Sequence, residues 1–172
     1  MGILKNLSKV FKTPTKEEAE KSGDWATLLK MLSKCQSIQG MEELSLAIAR
    51  VGNKEAARGL VTLVVQSYER GFEIKEKVNE LSQDPQALLM ARFRGETGIN
   101  TIGYNAQSVR SPIDDLKEEM TLHFQCGYRA LDALESLRAT EELQAALSNP
   151  AYKVGWSSFR GTLESIQKEN SV

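Results

Sequence analysis

The chain is poor in the residues on which most protein chemistry depends. Among its 172 residues are two cysteines, Cys35 and Cys126, and one histidine, His123. Two cysteines far apart in sequence cannot make the disulfide framework of a small secreted domain, and no Cys-x-x-Cys pair indicates a zinc or redox site. We expect two free thiols in a reducing compartment, with one long-range disulfide as the alternative.

The single histidine also restricts the kinds of site that the chain can build. His123 follows Glu119 by four positions, so the two would share a helix face, but two metal ligands are too few for a closed site. Cys126 falls on or near the predicted core face, where a thiol is usually unreactive. We therefore expect a packed histidine, no metal, no cofactor and no catalytic residue. The protein is predicted not to be an enzyme, and an enzyme of unrecognised type ranks third among the functions considered.

Long apolar runs are missing as well. The most apolar stretch, Leu60 to Val65, is six residues long, whereas a membrane-spanning helix needs about 20 residues. The N-terminus has lysines but neither the apolar segment nor the small-residue cleavage site of a secretory signal. These absences predict a protein that is cytoplasmic where it is synthesised, either peripheral to a membrane or within a larger assembly.

The chain also has no excess of either positive or negative charge. Lys and Arg number 22 and Asp and Glu number 23, for a net charge of −1. No global field therefore draws the protein to nucleic acid or to an anionic membrane, and any such partner would have to meet a local patch. A length of 172 residues and a hydrophobic content of 41% suit one globular domain, which needs no disulfide or metal to hold it together.

What the sequence does contain is helical periodicity, interrupted by start and stop signals. Apolar residues recur every three or four positions along most of the chain. A helical region is predicted to start around Gly40. Two buried helix faces are predicted further on: Leu60, Val64, Tyr68, Phe72 and Leu81 on one, and Ile113, Leu116, Met120, Phe124, Leu131 and Leu134 on the other. Thr15 with Glu18 has the pattern of a capping box, Asn53 that of an N-cap, and Ser111-Pro112 that of a cap followed by proline at the first helical position. Over Leu60–Val65 a short buried strand is the alternative to helix.

These signals predict an all-α fold, an antiparallel bundle of four to five main helices. A second cap-and-proline signal, Asp84-Pro85, starts a short helix, and a glycine-containing loop follows from Gly95 to Arg110. Tyr152, Trp156 and Phe159 are expected to close the core, with an exposed oligomer contact as the alternative. We assign residues 1–13 to an amphipathic N-terminal arm, 14–168 to the bundle domain and 169–172 to a frayed tail.

The arm carries the best functional signal. On a helix its apolar side chains share one side, while its lysines lie on or flank the other. Such a helix packs on its own bundle, on another protein or on a membrane surface. The sequence ranks these uses in that order, and it favours no single use over the other two combined. The predicted contact residues are Ile3, Leu4, Lys5, Leu7, Lys9, Val10, Phe11 and Lys12.

Magnitudes limit what one arm can do. Five apolar side chains at about 1.5 kcal/mol each, with about 1 kcal/mol per lysine near anionic lipid, give on the order of 10 kcal/mol. Ordering eleven residues costs about as much. One copy would therefore bind weakly, and stable attachment needs several copies in an oligomer or a second anchor.

The segment from Arg92 to Arg110 is the second candidate. Arg92, Arg94 and Arg110, with Phe93 and Tyr104, combine basic and aromatic groups that can hold phosphates and stack bases. The glycine spacing matches neither the phosphate-binding loop nor the dinucleotide fingerprint. This segment therefore predicts, as the alternative function, a binding module for nucleic acid or another polyanion.

The hypothesis that the sequence favours is a non-enzymatic helical assembly or adaptor protein, of structural, shell, scaffold or matrix type, viral or cellular. It would act through protein–protein contacts as a homo-oligomer or with another subunit, and its arm would reach a partner subunit or a membrane surface.

Overall fold

A computed structural model of the chain describes residues 14–83 and 112–171. Over these two ranges the fold is all-α, as predicted, without a β-strand. Seven α-helices are described, with a 3-10 helix, Pro150–Gly155, before the last of them. They are α1 (Lys16–Ser22), α2 (Trp25–Lys34), α3 (Ile38–Val51), α4 (Lys54–Gln83), α5 (Pro112–Ser136), α6 (Thr140–Leu147) and α7 (Trp156–Glu169).

The predicted signals at the first two helices are confirmed. The Thr15 hydroxyl accepts from the Glu18 backbone N–H, and the Glu18 carboxylate accepts from the Thr15 backbone N–H, which completes the capping box. Helix α1 ends at Gly23, whose φ of 71° lies in the left-handed region that glycine adopts without strain. Asp24 then caps α2 through the Thr27 N–H.

The next two helix starts are set by side-chain caps. Helix α3 starts two residues before the predicted Gly40, because the Ser37 hydroxyl accepts from the Gly40 N–H. At the start of α4, the Asn53 side-chain oxygen accepts from the Ala56 N–H at 2.6 Å, as predicted. The alternative of a strand over Leu60–Val65 is wrong, since this stretch lies inside α4.

Helices α4 and α5 form the axis of the fold. They run antiparallel, with Gly71 opposite Phe124 and Gly127 opposite Tyr68, and they share the most extensive interhelical contact. Helices α2 and α3 pack against this pair as one group, while α6, α7 and the 3-10 helix pack against it as another. This arrangement is a helical bundle, as the sequence predicts.

The pair has two unequal halves. In the body half the core is continuous and includes Leu60, Val64, Leu134 and Phe159, all fully buried. We call residues 69–83 of α4 and 112–125 of α5 the distal pair. There the buried α4 residues Gly71, Ile74 and Val78 alternate three and four positions apart, as in a coiled-coil seam.

The apolar face predicted for α5 is correct at one end only. Leu131 and Leu134 are buried in the body, whereas Ile113, Leu116 and Met120 of the distal pair are half-buried. The reason is that, among the described residues, only α4 and α5 pack together here, and two helices cover only a narrow stripe of each other.

The C-terminal aromatic residues close the core, as predicted. Phe159 is completely buried, and Trp156 and Tyr152 pack against the core. The Trp156 indole N–H donates to the carbonyl oxygens of Ala146 and Asn149, which ties α7 to the end of α6. The arm (1–13), the predicted helix after Asp84-Pro85 and the loop 95–110 lie outside the described residues.

Candidate interaction surface

The residues that the sequence favoured for a partner, membrane or anion contact lie outside the described ranges. This applies to the arm residues, Ile3 to Lys12, and to Arg92, Arg94 and Arg110. We therefore ask which part of the described surface is suited to bind these segments.

The groups with chemical reactivity do not assemble into a metal site in the described part of the chain. No group of three or more His, Cys, Asp or Glu side chains there could hold an ion. His123 is half-buried on α5, and its Nε2 lies 3.8 Å from the Glu119 carboxylate. Cys126 is buried, and burial raises the pKa of its thiol, so its thiolate forms less readily than that of an exposed cysteine.

An aromatic cluster joins α4 to α5 where the body meets the distal pair. Two glycines make it possible. A Cβ on Gly71 would lie 2.9 Å from the Phe124 ring, and a Cβ on Gly127 would lie 2.5 Å from the Tyr68 ring. Each helix thus places an aromatic ring against the backbone of the other, and a side chain at either glycine would displace the ring.

The cluster continues to the surface. Phe72 packs edge-on against Phe124 at a centroid distance of 5.2 Å, and Tyr68 lies 6.0 Å from the same ring. Phe72 is 43% exposed and Tyr128, one turn beyond Phe124 on α5, is 55% exposed. We call Tyr68, Phe72, Phe124 and Tyr128 the aromatic patch. Exposed aromatic side chains of this kind are enriched at protein–protein interfaces.

Helix α7 starts beside the aromatic patch and runs away from it. The Ser158 hydroxyl lies 3.3 Å from the Tyr68 hydroxyl near the first turn of α7, and Arg138 meets Asn170 just beyond its last turn. Helix α7 therefore covers the body half and does not cover Phe72 or Tyr128.

The surroundings of the patch are acidic. The distal pair has eight Asp and Glu side chains and four Lys and Arg side chains, a net charge of −4 with His123 neutral. Arg70 is held by Glu73 and Glu119 at 3.2 Å each, and these carboxylates raise the pKa of its guanidinium. Glu69, Glu76 and Glu80 have no ion-pair partner among the described residues.

Two cationic side chains lie next to the patch, but they do not neutralise the negative charge around it. Lys75 Nζ is 5.9 Å from the centroid of the Phe72 ring, and the Arg129 guanidinium is 5.6 Å from the centroid of the Tyr128 ring. Arg129 is itself paired with Asp132 and Glu42. The patch is thus an apolar surface within a negative potential, suited to a segment that is apolar on one face and basic on the other.

Other apolar exposure on the described surface is sparse. Ile38 and Leu46 are 48% and 47% exposed, two turns apart on α3, with no exposed aromatic residue on that helix. An open groove of about 440 Å³ between α4 and α6 is lined by both apolar and charged side chains, including Val61, Arg58 and Glu142. Neither feature gathers exposed aromatic rings as the patch does.

Sequence reasoning missed this surface because it assigned Tyr68 and Phe72 to the buried face of α4. That assignment is wrong for Phe72. The buried stripe of the distal half runs through Gly71, Ile74 and Val78, and Phe72 lies to one side of it. Glycines 71 and 127, each in the interior of a long helix, were the available signal, because such glycines mark close approach by a neighbour.

Comparison with known proteins yields no match to a family model, to a curated protein or to a solved structure. Over residues 14–83 and 112–171, no helix has the length and apolar character needed to cross a bilayer.

Proposed function

We propose that this protein is a non-enzymatic helical assembly protein that acts through contacts between copies of itself. In this proposal the amphipathic arm of one copy, residues 3–12, lies on the aromatic patch of another. The observation that carries the proposal is the exposed aromatic patch where the distal pair meets the body, which is apolar and lies beside the carboxylates of the distal pair. The arm has the complementary character, with five apolar side chains, three lysines and no acidic residue.

The dimensions also agree. As a helix, the eleven residues from Gly2 to Lys12 would be about 16 Å long at 1.5 Å per residue. The face of α4 from Tyr68 to Glu80 extends over about 18 Å by the same rise. An arm laid along it would contact Phe72 with its apolar face and would bring its lysines towards Glu69, Glu76 and Glu80, the carboxylates without an ion-pair partner in the described ranges.

The weakness of one arm is compatible with this arrangement. In a symmetric dimer each copy gives one arm and receives another, so two weak contacts act together. We therefore expect association that depends on protein concentration and weakens with salt, because the charged part of the contact is exposed to solvent.

Sedimentation velocity of the full chain over a range of concentrations tests the proposal. We expect reversible association in the full chain and a monomer after deletion of residues 1–12. The paired substitution Phe72→Ser and Tyr128→Ser should also give a monomer, because it removes the exposed rings. Leu46→Ser is the matched control, since it removes a side chain of similar exposure from α3 and should leave association unchanged.

Two results would count against self-assembly. A full chain that remains monomeric at every concentration would contradict it directly. Retention on anionic vesicles that requires the arm, and that the Phe72→Ser and Tyr128→Ser variant keeps, would assign the arm to a membrane surface. Helical circular dichroism of each variant confirms that the bundle is intact.

A further inference from the structure

The two cysteines, far apart in sequence, donate hydrogen bonds to the same backbone carbonyl oxygen. The Cys35 backbone N–H donates to the Leu32 carbonyl oxygen at 3.2 Å, and the Cys126 thiol donates to the same oxygen at 3.7 Å. These two distances add to 6.9 Å, which is the upper limit of the separation between the Cys126 sulfur and the Cys35 nitrogen. The fold therefore brings the C-terminal end of α2 against the middle of α5 at these two residues.

Both thiols line one cleft of about 400 Å³, but they differ in access. Cys126 is 4% exposed, whereas Cys35 is half-buried at the mouth of the cleft. Burial raises the pKa of the Cys126 thiol, so the thiolate that starts an exchange reaction forms less readily there. Cys35 is the one that a reagent in solution meets first.

Cys35 lies between two helices and not inside one. Cys35, Gln36 and Ser37 form the short non-helical link between α2 and α3. The Cys35 sulfur lies over Gly40, where a Cβ would be only 2.7 Å away, and its thiol donates to the Ser37 carbonyl at 3.4 Å. In its present position the Cys35 thiol makes this one weak hydrogen bond, which a disulfide with Cys126 would replace.

We propose that Cys35 and Cys126 form a thiol modification site, in which a low-molecular-weight disulfide reacts at Cys35 and Cys126 then closes an internal disulfide. In the first step the Cys35 thiolate attacks a sulfur of the reagent RSSR, forming Cys35–S–S–R and releasing RS⁻. In the second step the Cys126 thiolate attacks the Cys35 sulfur and releases a second RS⁻. Two protein thiols are oxidised by two electrons, one RSSR is reduced to two RSH, and the two thiol protons leave with the products.

The product ties the link between α2 and α3 to α5 covalently. The site needs no metal and no other subunit, and it is independent of the aromatic patch, which lies on other faces of α4 and α5. His123 and Glu119 also line the cleft. They take no part in the reaction, because the disulfide exchange uses only the two cysteine sulfur atoms and the reagent.

The test uses the full chain with oxidised glutathione as RSSR, followed by acid quenching, intact mass measurement and peptide mapping. The wild-type protein should lose both thiols, become lighter by two hydrogen atoms and give a Cys35–Cys126 cross-linked peptide without forming a covalent dimer. In Cys126→Ala, Cys35 should retain the glutathione adduct, because no second thiol resolves it. In Cys35→Ser, Cys126 should stay unmodified.

Three results would overturn the proposal. One is a wild-type protein that accumulates the glutathione adduct at Cys35 and never closes it. Another is a covalent dimer in place of the internal disulfide. The third is a Cys35→Ser variant in which Cys126 reacts as fast as Cys35 does in the wild type. Circular dichroism of both variants guards against a result caused by unfolding, and the same reaction in denaturant should lose its preference for Cys35.

Discussion

The two halves of the α4–α5 pair are built from the same two helices but are stabilised differently. In the body half, five further elements cover the pair, and residues such as Leu60 and Leu134 are completely buried. In the distal pair only a narrow seam is buried among the described residues, around Ile74 and Val78. The comparison shows that helix length and helix burial are separate properties here. A long helix continues past its core because its partner helix continues with it, and no other helix of residues 14–83 and 112–171 covers the flanks of that continuation.

The largest expected difference between the halves concerns the loss of buried volume. Phe159→Ala should lower the free energy of unfolding by about 3–5 kcal/mol, because it leaves a cavity in a core that other elements enclose. Val78→Ala in the distal pair should lower it by about 1.5 kcal/mol, the value for two methyl-sized groups at about 0.8 kcal/mol each. Urea unfolding of both variants measures this. A loss at Val78 as large as that at Phe159, although a much smaller group is removed, would contradict looser packing in the distal pair.

The junction between the halves is tested by a glycine pair. Gly127→Ala should destabilise by about 1–3 kcal/mol, because the new Cβ meets the Tyr68 ring, which Ser158 holds in place. Gly161→Ala is the control: this glycine is also inside a helix but has no neighbour within 4 Å of the added Cβ. It should stabilise by about 0.5–1 kcal/mol through helix propensity. Opposite signs in thermal unfolding are expected, and a stabilising Gly127→Ala would contradict the ring packing described here.

The start of α4 belongs to the body and depends on a single cap. Asn53→Ala should cost about 1 kcal/mol, because the Ala56 N–H loses its side-chain acceptor. Asn53→Asp keeps an acceptor at the same place and should retain most of the stability. If the two variants unfold at the same urea concentration, the cap does not stabilise the helix.

The smallest expected effect is a pH dependence at the surface of the body. The Lys16 ammonium, 2.7 Å from the Glu43 carboxylate, lowers the pKa of that carboxyl from its ordinary value of 4.5. Its contribution to stability is therefore present above the ordinary value and is lost as the pH falls through the lowered one. Glu43→Gln should flatten the fall in melting temperature on acidification slightly, and only at low salt. An unchanged acid profile at low salt would show that the pair adds nothing.

Much of the fold follows from local signals in the sequence. Neighbouring residues alone determine the capping box at Thr15, the cap at Asn53 and the start of α5 at Pro112. These features can therefore be predicted without tertiary structure. The exposure of Phe72 cannot. It depends on which of two neighbouring stripes of α4 faces α5, and that choice is set by Gly71 and Gly127 receiving rings from the opposite helix. The meeting of Cys35 with Cys126 likewise depends on how α2 packs against α5.

The contact between arm and patch can be measured directly by NMR. Chains 14–172 with labelled phenylalanine and tyrosine would be titrated with a synthetic peptide of residues 1–13, at low salt because one arm binds weakly. The account predicts chemical-shift changes centred on Phe72, Phe124 and Tyr128, abolished by Phe72→Ser and kept in Leu46→Ser. Shift changes confined to other residues, or none at peptide concentrations in the millimolar range, would contradict it.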